Sequence, residues 1–140
     1  MIRYEHLPGN TDDLIARAAK ALGDDARVIF AYLFGSLAKG KRTPLSDMDL
    51  AVYLDPSAVG PESKLDILLT LGNVLGTDEI DLVVLNTAPT SLTGRILAGK
   101  KILVDKNPFL RHDYESLELR KFFDFSIIEK RHLKRRYGIG

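Results

Sequence analysis

Three aspartates have the most chemistry to offer in this sequence. Asp47 and Asp49 stand two apart at the head of Asp47-Met48-Asp49-Leu50-Ala51-Val52-Tyr53-Leu54, a run that reads as a strand. Side chains alternate along a strand, so both carboxylates project from one face, with Cα atoms about 6.6 Å apart at roughly 3.3 Å per residue. Carboxylates so spaced can converge on two cations about 3.5–4 Å apart, the separation used in two-metal phosphoryl transfer. Asp81 is the third, inside Ile80-Asp81-Leu82-Val83-Val84-Leu85, a strand otherwise built for burial. A lone carboxylate there is costly unless something positive or a proton meets it. If this strand lies beside that of Asp47 and Asp49, one shared cation serves all three. An isolated Asp-x-Asp, however, is more often a pair of loop-end acids than a metal site.

The residues upstream change that balance. Gly35-Ser36 falls between the apolar run 27–34 and a short helical turn at 36–40. Backbone N–H groups at such a junction point outward and can bind a phosphate. Glycine permits close approach to the backbone, and the Ser36 hydroxyl adds a donor. Lys39, Lys41 and Arg42 place positive charge beside it, as a polyphosphate requires, although each also fits a solvated loop.

Read together, the string is Gly35-Ser36-x-x-x-Gly40-x-x-x-x-x-Ser46-Asp47-x-Asp49-Leu50, with Asp81 about 30 residues later. It resembles the polymerase-β-like nucleotidyltransferase superfamily, and most closely the minimal nucleotidyltransferases (MNT) of bacteria and archaea. The likeness is strongest over 30–54 and 80–85. It implies a polymerase-β-like α+β fold, a small mixed sheet backed by helices. It implies that Gly35 and Ser36, with Lys39 and Ser46 nearby, hold the phosphates of ATP or another NTP. Asp47, Asp49 and Asp81 would ligate two Mg²⁺ ions, and Asp81 would help to remove the proton of the attacking hydroxyl. All-oxygen ligands completed by water and phosphate suit Mg²⁺. One departure concerns Ala38-Lys39-Gly40, where the family often has arginine; lysine keeps the charge and loses the bidentate fork.

The chain offers little alternative chemistry. It has no cysteine, which excludes thiolate zinc sites, disulfides and cysteine nucleophiles. Its three histidines, His6, His112 and His132, have no metal-site spacing. No run of 18 or more apolar residues is present, so no membrane span is expected. The N-terminus lacks a signal core, and a cytoplasmic location is expected. With 140 residues, 1–140 reads as a single domain.

Net charge is +1 but uneven: 120–140 holds seven basic residues against Asp124 and Glu129. Without interleaved stacking aromatics this is weak evidence for RNA, and nucleic acid is not expected as the primary partner. Many minimal nucleotidyltransferases that the chain resembles are antitoxins that transfer AMP to a tyrosine of a HEPN toxin, and the basic C-terminal stretch resembles their closing helix. A HEPN-family toxin is thus the expected partner. Transfer to a small molecule or RNA end, and a non-catalytic binding antitoxin, remain as alternatives, the second disfavoured by the intact aspartate set.

The elements that must position these residues follow from periodicity. Helices are predicted over 11–23, with Asn10 or Thr11 as N-cap and Leu14, Ile15, Ala18, Ala19 and Leu22 inward, and over 65–75, with Leu65, Leu68, Leu69, Leu71 and Leu75 at helical spacing and a stop at Gly76. Further helices are predicted at about 90–98 and 108–137, the last with Tyr114, Leu117, Phe122, Phe125, Ile128 and Leu133 inward. Strands are predicted at 27–34, 47–54, 79–85 and 101–104. No internal repeat is visible.

Overall fold

The apolar run after Arg27 forms the strand around which the sheet is built. In the computed structural model, which describes residues 3–40 and 47–137 and side chains over 11–40 and 47–132, β1 (Val28–Phe34) is paired on both sides. Antiparallel partners flank it: β2 (Met48–Leu54) and β4 (Lys101–Asp105). β3 (Ile80–Val84) lies parallel to β2 on its far side, giving the order β3-β2-β1-β4. A parallel pair needs a crossover, and α3 (Pro61–Leu75) supplies it between β2 and β3. The result is the expected mixed α+β architecture.

Alternation along the strands divides the core in two. Ala31 and Leu33 of β1 with Leu50, Val52 and Leu54 of β2 face one side, covered by α1 (Arg3–Asp24) and α3. Phe30, Tyr32 and Ala51 face the other, covered by α4 (Thr90–Gly99) and the start of α5 (Pro108–Tyr137). Each fully buried leucine, such as Leu22, Leu50 or Leu71, contributes about 1.5–3 kcal/mol relative to exposure.

Where helices begin and which face they bury differ in places from the pattern in the sequence. α1 starts at Arg3, so neither Asn10 nor Thr11 is its N-cap, and Thr11 is a buried residue inside it. Packing of Leu14, Ala18 and Leu22 in the core outweighs the local preference of Asn and Thr for a cap. α3 begins at Pro61, well suited to a first turn, and ends at Gly76, which takes φ +69° and returns its N–H to the Gly72 carbonyl at 2.9 Å. Its buried stripe is Ile67, Leu71 and Leu75, whereas Leu65 and Leu69 face solvent.

The long α5 departs most. Tyr114 and Phe122 are partly buried, but Leu117, Phe125 and Ile128 are exposed, and the side chain of Leu133 lies outside the described residues. The reason is length. A helix of 30 residues spans about 45 Å at 1.5 Å per residue, and α4, its main neighbour, has only 10 residues or about 15 Å. Gly94 makes the shared contact possible, because a Cβ there would occupy the Phe122 ring.

A polar network anchors α5 to the sheet. The fully buried Tyr32 donates its hydroxyl to Glu115 at 2.6 Å. Arg111 bridges Glu115 at 3.1 Å and Asp105 at 3.0 Å, and Lys100 lies 3.6 Å from Glu115. Burial raises the Glu115 carboxyl, but the Tyr32 and Arg111 hydrogen bonds and the nearby cations outweigh it and hold the group below its ordinary value. Among the described residues no helix is long and apolar enough to cross a membrane.

Candidate active site

Strand register brings two of the three aspartates together. Asp49 of β2 pairs with Asp81 of β3 on one side and with Phe34, the last residue of β1, on the other. Neighbouring strands lie about 4.8 Å apart, so in-register carboxylates on one face of a parallel pair are neighbours. Asp47 stands one residue before β2 and is exposed. Asp49 is partly buried between the other two acids.

Asp81 lies where the sequence did not place it. β3 is the edge of the sheet, and Asp81 is exposed rather than buried. An edge strand meets solvent along one side, so its carboxylate incurs no desolvation cost that a cation must offset. The demand for positive charge falls on Asp49 instead. Burial first, then the charges of Asp81 and Asp47, push the Asp49 carboxyl up to about 6.

Gly35 is fitted to this carboxylate. It follows Phe34 directly, opens the single-turn α2 (Gly35–Ala38), and takes φ +73°. A Cβ built on it would coincide with the Asp49 carboxylate oxygen. Glycine is required on both counts, as a left-handed residue and as one that must leave space. Phe34, the N-cap of α2, supplies no side chain to its amides. Ser36 is exposed beside them.

On the Gly35 side lies a concavity of about 250 Å³ lined by Phe34, Gly35, Lys39, Arg95, Ala98 and Gly99. Lys39 runs along the end of α4, its Cε 3.5 Å from where a Gly99 Cβ would be. Arg95 was not singled out in the sequence, since it belongs to no motif and reaches Gly35 only because α4 crosses this face of the sheet. Lys41, Arg42 and Ser46 lie outside the described residues. Among the described residues no three acidic or imidazole side chains are already drawn together as a metal cage. The donor set is nevertheless all-oxygen, with negative charge focused on Asp49 that no described cation pairs, which suits a hard divalent cation sharing its coordination with phosphate and water.

The family model for polymerase beta nucleotidyltransferases matches residues 17–109, and the chain belongs to that family. Among solved structures, one of a toxin–antitoxin with AMP-PNP matches with TM-score 0.65 and 23% identity, covering 86% of this chain and 93% of that one. A tri-AMPylated Shewanella oneidensis HEPN toxin in complex with MNT antitoxin gives TM-score 0.62 and 22% identity, over 89% of this chain and 92% of that one. The toxin–antitoxin MntA-HepT gives 0.61 and 22%, over 89% and 93%. At these identities the likeness is one of fold. No curated protein matches the chain significantly.

Proposed function

We propose that this nucleotidyltransferase moves AMP from ATP onto a tyrosine hydroxyl of a HEPN-type partner protein in the cytoplasm, 1–140 acting as one catalytic domain. The observation that carries the reading is the registered placement of Asp49 between Asp81 and the Phe34–Gly35 turn. It sets a carboxylate cluster beside a backbone shaped for close approach by a phosphate.

Asp47, Asp49 and Asp81 would hold two Mg²⁺ ions. When bound, the metal supplies Lewis-acid stabilisation of charge on the transferring oxygens. The residues do the rest. Backbone amides at Gly35 and Ser36, with the Ser36 hydroxyl, bind and orient the outer phosphates. Lys39 and Arg95 balance their charge from the adjoining concavity. Ser46 serves the same phosphates in this reading. Asp81, exposed at the sheet edge, takes the proton of the incoming hydroxyl. The hydroxyl oxygen bonds to the α-phosphorus, the bond from that phosphorus to the bridging oxygen breaks, and pyrophosphate leaves.

Two observations favour a protein acceptor. Two of the similar solved structures are a toxin–antitoxin with AMP-PNP and a tri-AMPylated HEPN toxin with MNT antitoxin. In this chain, α5 leaves Phe123, Ile127 and Ile128 exposed, the composition of a protein-binding surface rather than of a solvated helix.

Position-specific labelling tests the chemistry. With a HEPN-family protein as acceptor and Mg²⁺, label from α-phosphate ATP is expected on that protein and label from γ-phosphate ATP is not. Transfer of γ-label would make the protein a kinase and end this reading.

A further inference from the structure

A second groove begins on the opposite side of Asp49 from the phosphate concavity. It holds about 560 Å³ along the outer side of β3, with Asp81 at one end, Val83 along its floor, Lys64 on its rim and Thr87, Ala88 and Pro89 at the other end. An adjoining groove of about 540 Å³ shares Val59, Thr87 and Ala88 with it and reaches Tyr114, Leu117 and Lys121 of α5. The two form one channel from Asp81 to the helix with the exposed apolar side chains.

We infer that this channel binds an extended segment of the acceptor polypeptide, its tyrosine at the Asp81 end and its continuation leading to α5. The inference rests on the protein-acceptor reading and extends it. Three features select this occupant. Among the described residues β3 pairs only with β2, so half of its backbone groups face outward and can pair with an added strand. The lining is mostly apolar, with Val59, Leu82, Val83, Val84 and Leu92 along the edge strand, suited to alternate side chains of an extended chain. The channel also joins Asp81 to the exposed face of α5, so one partner can dock on the helix and feed its tyrosine-bearing segment to the carboxylates. Basic side chains dominate the phosphate side, with Lys39 and Arg95, whereas this side is largely uncharged. A triphosphate and a peptide thus find separate approaches to Asp49.

Thr87 is exposed at the junction of the two grooves and tests the inference. With the same HEPN-family protein as acceptor, Thr87→Arg should raise KM for that partner by about tenfold, which is 1.4 kcal/mol of lost binding, and Thr87→Ser should keep the wild-type value. A photo-crosslinking residue at position 87 should attach to the partner's tyrosine segment. Wild-type KM in Thr87→Arg, or crosslinks confined to the partner's folded body, would overturn the channel while leaving protein AMPylation standing. No label on the partner from the wild-type enzyme would overturn both.

Discussion

Gly35 and Asp49 occupy complementary space: the position a Cβ would take on the glycine is filled by the aspartate carboxylate. The glycine also holds φ +73°. Any side chain at 35 therefore strains the turn and displaces the acid. Gly35→Ala should lose about 1–3 kcal/mol of stability and most of its transfer activity, read by denaturant melts and single-turnover transfer. An alanine variant with wild-type stability and rate would show that the turn yields without cost.

Asp49 makes apo stability depend on pH in a defined direction. An unfolded aspartate titrates near about 3.9, whereas in the folded chain burial and the charges of Asp81 and Asp47 push it up to about 6. The folded state thus binds more protons between those values, and stability falls as pH rises through that window. Asp49→Asn lacks this titration. In EDTA it should melt roughly 3–6 °C above wild type at neutral pH, for a relief on the order of 1 kcal/mol, and the gap should close near pH 4. Parallel pH profiles for the two proteins would contradict the clustering of the three charges.

Much of this site was legible because it is local in sequence. Asp47, Asp49 and Gly35 belong to one strand–turn–strand passage whose spacing fixes their relation. Asp81 was identified by its type, but its surroundings were misread, since an apolar run of five residues looks the same in an edge strand as in a central one. Arg95 and the channel along β3 depend on how α4 and α3 return across the sheet, which no local spacing encodes. The exposed half of α5 was hidden for the opposite reason. Its apolar residues suggest an inward face, and only the shortness of α4 reveals that nothing among the described residues covers them.

Arg95 should matter for the nucleotide and not for the fold. It is exposed on α4 and lines the concavity with Gly35 and Lys39. Arg95→Ala should raise KM for ATP by about tenfold, the loss of one charge-assisted hydrogen bond to phosphate, with its melting temperature unchanged. Unaltered KM would remove Arg95 from the phosphate site.

Glu115 should behave in the converse way. It accepts from the buried Tyr32 hydroxyl and pairs with Arg111, and neither contact involves an aspartate of the carboxylate cluster. Glu115→Ala should destabilise the fold by about 1–3 kcal/mol, since it strands the buried Tyr32 hydroxyl and leaves the Arg111 guanidinium with Asp105 alone. Because the Glu115 carboxyl is held below its ordinary value, its contribution is present above the unfolded pKa and is lost as pH falls through the folded one. Wild-type melts for the variant would mean that the network adds nothing.

Transfer of AMP to a protein tyrosine changes the mass of the acceptor, so intact-mass spectrometry of the partner reads it without a label. With ATP and Mg²⁺, the partner should gain about 329 Da for each AMP added by nucleotidyl displacement, on tyrosine in the fragment spectra. The same incubation with Asp81→Ala should leave its mass unchanged. An unmodified partner in the wild-type reaction, with AMP appearing instead on RNA or a small molecule, would contradict the account.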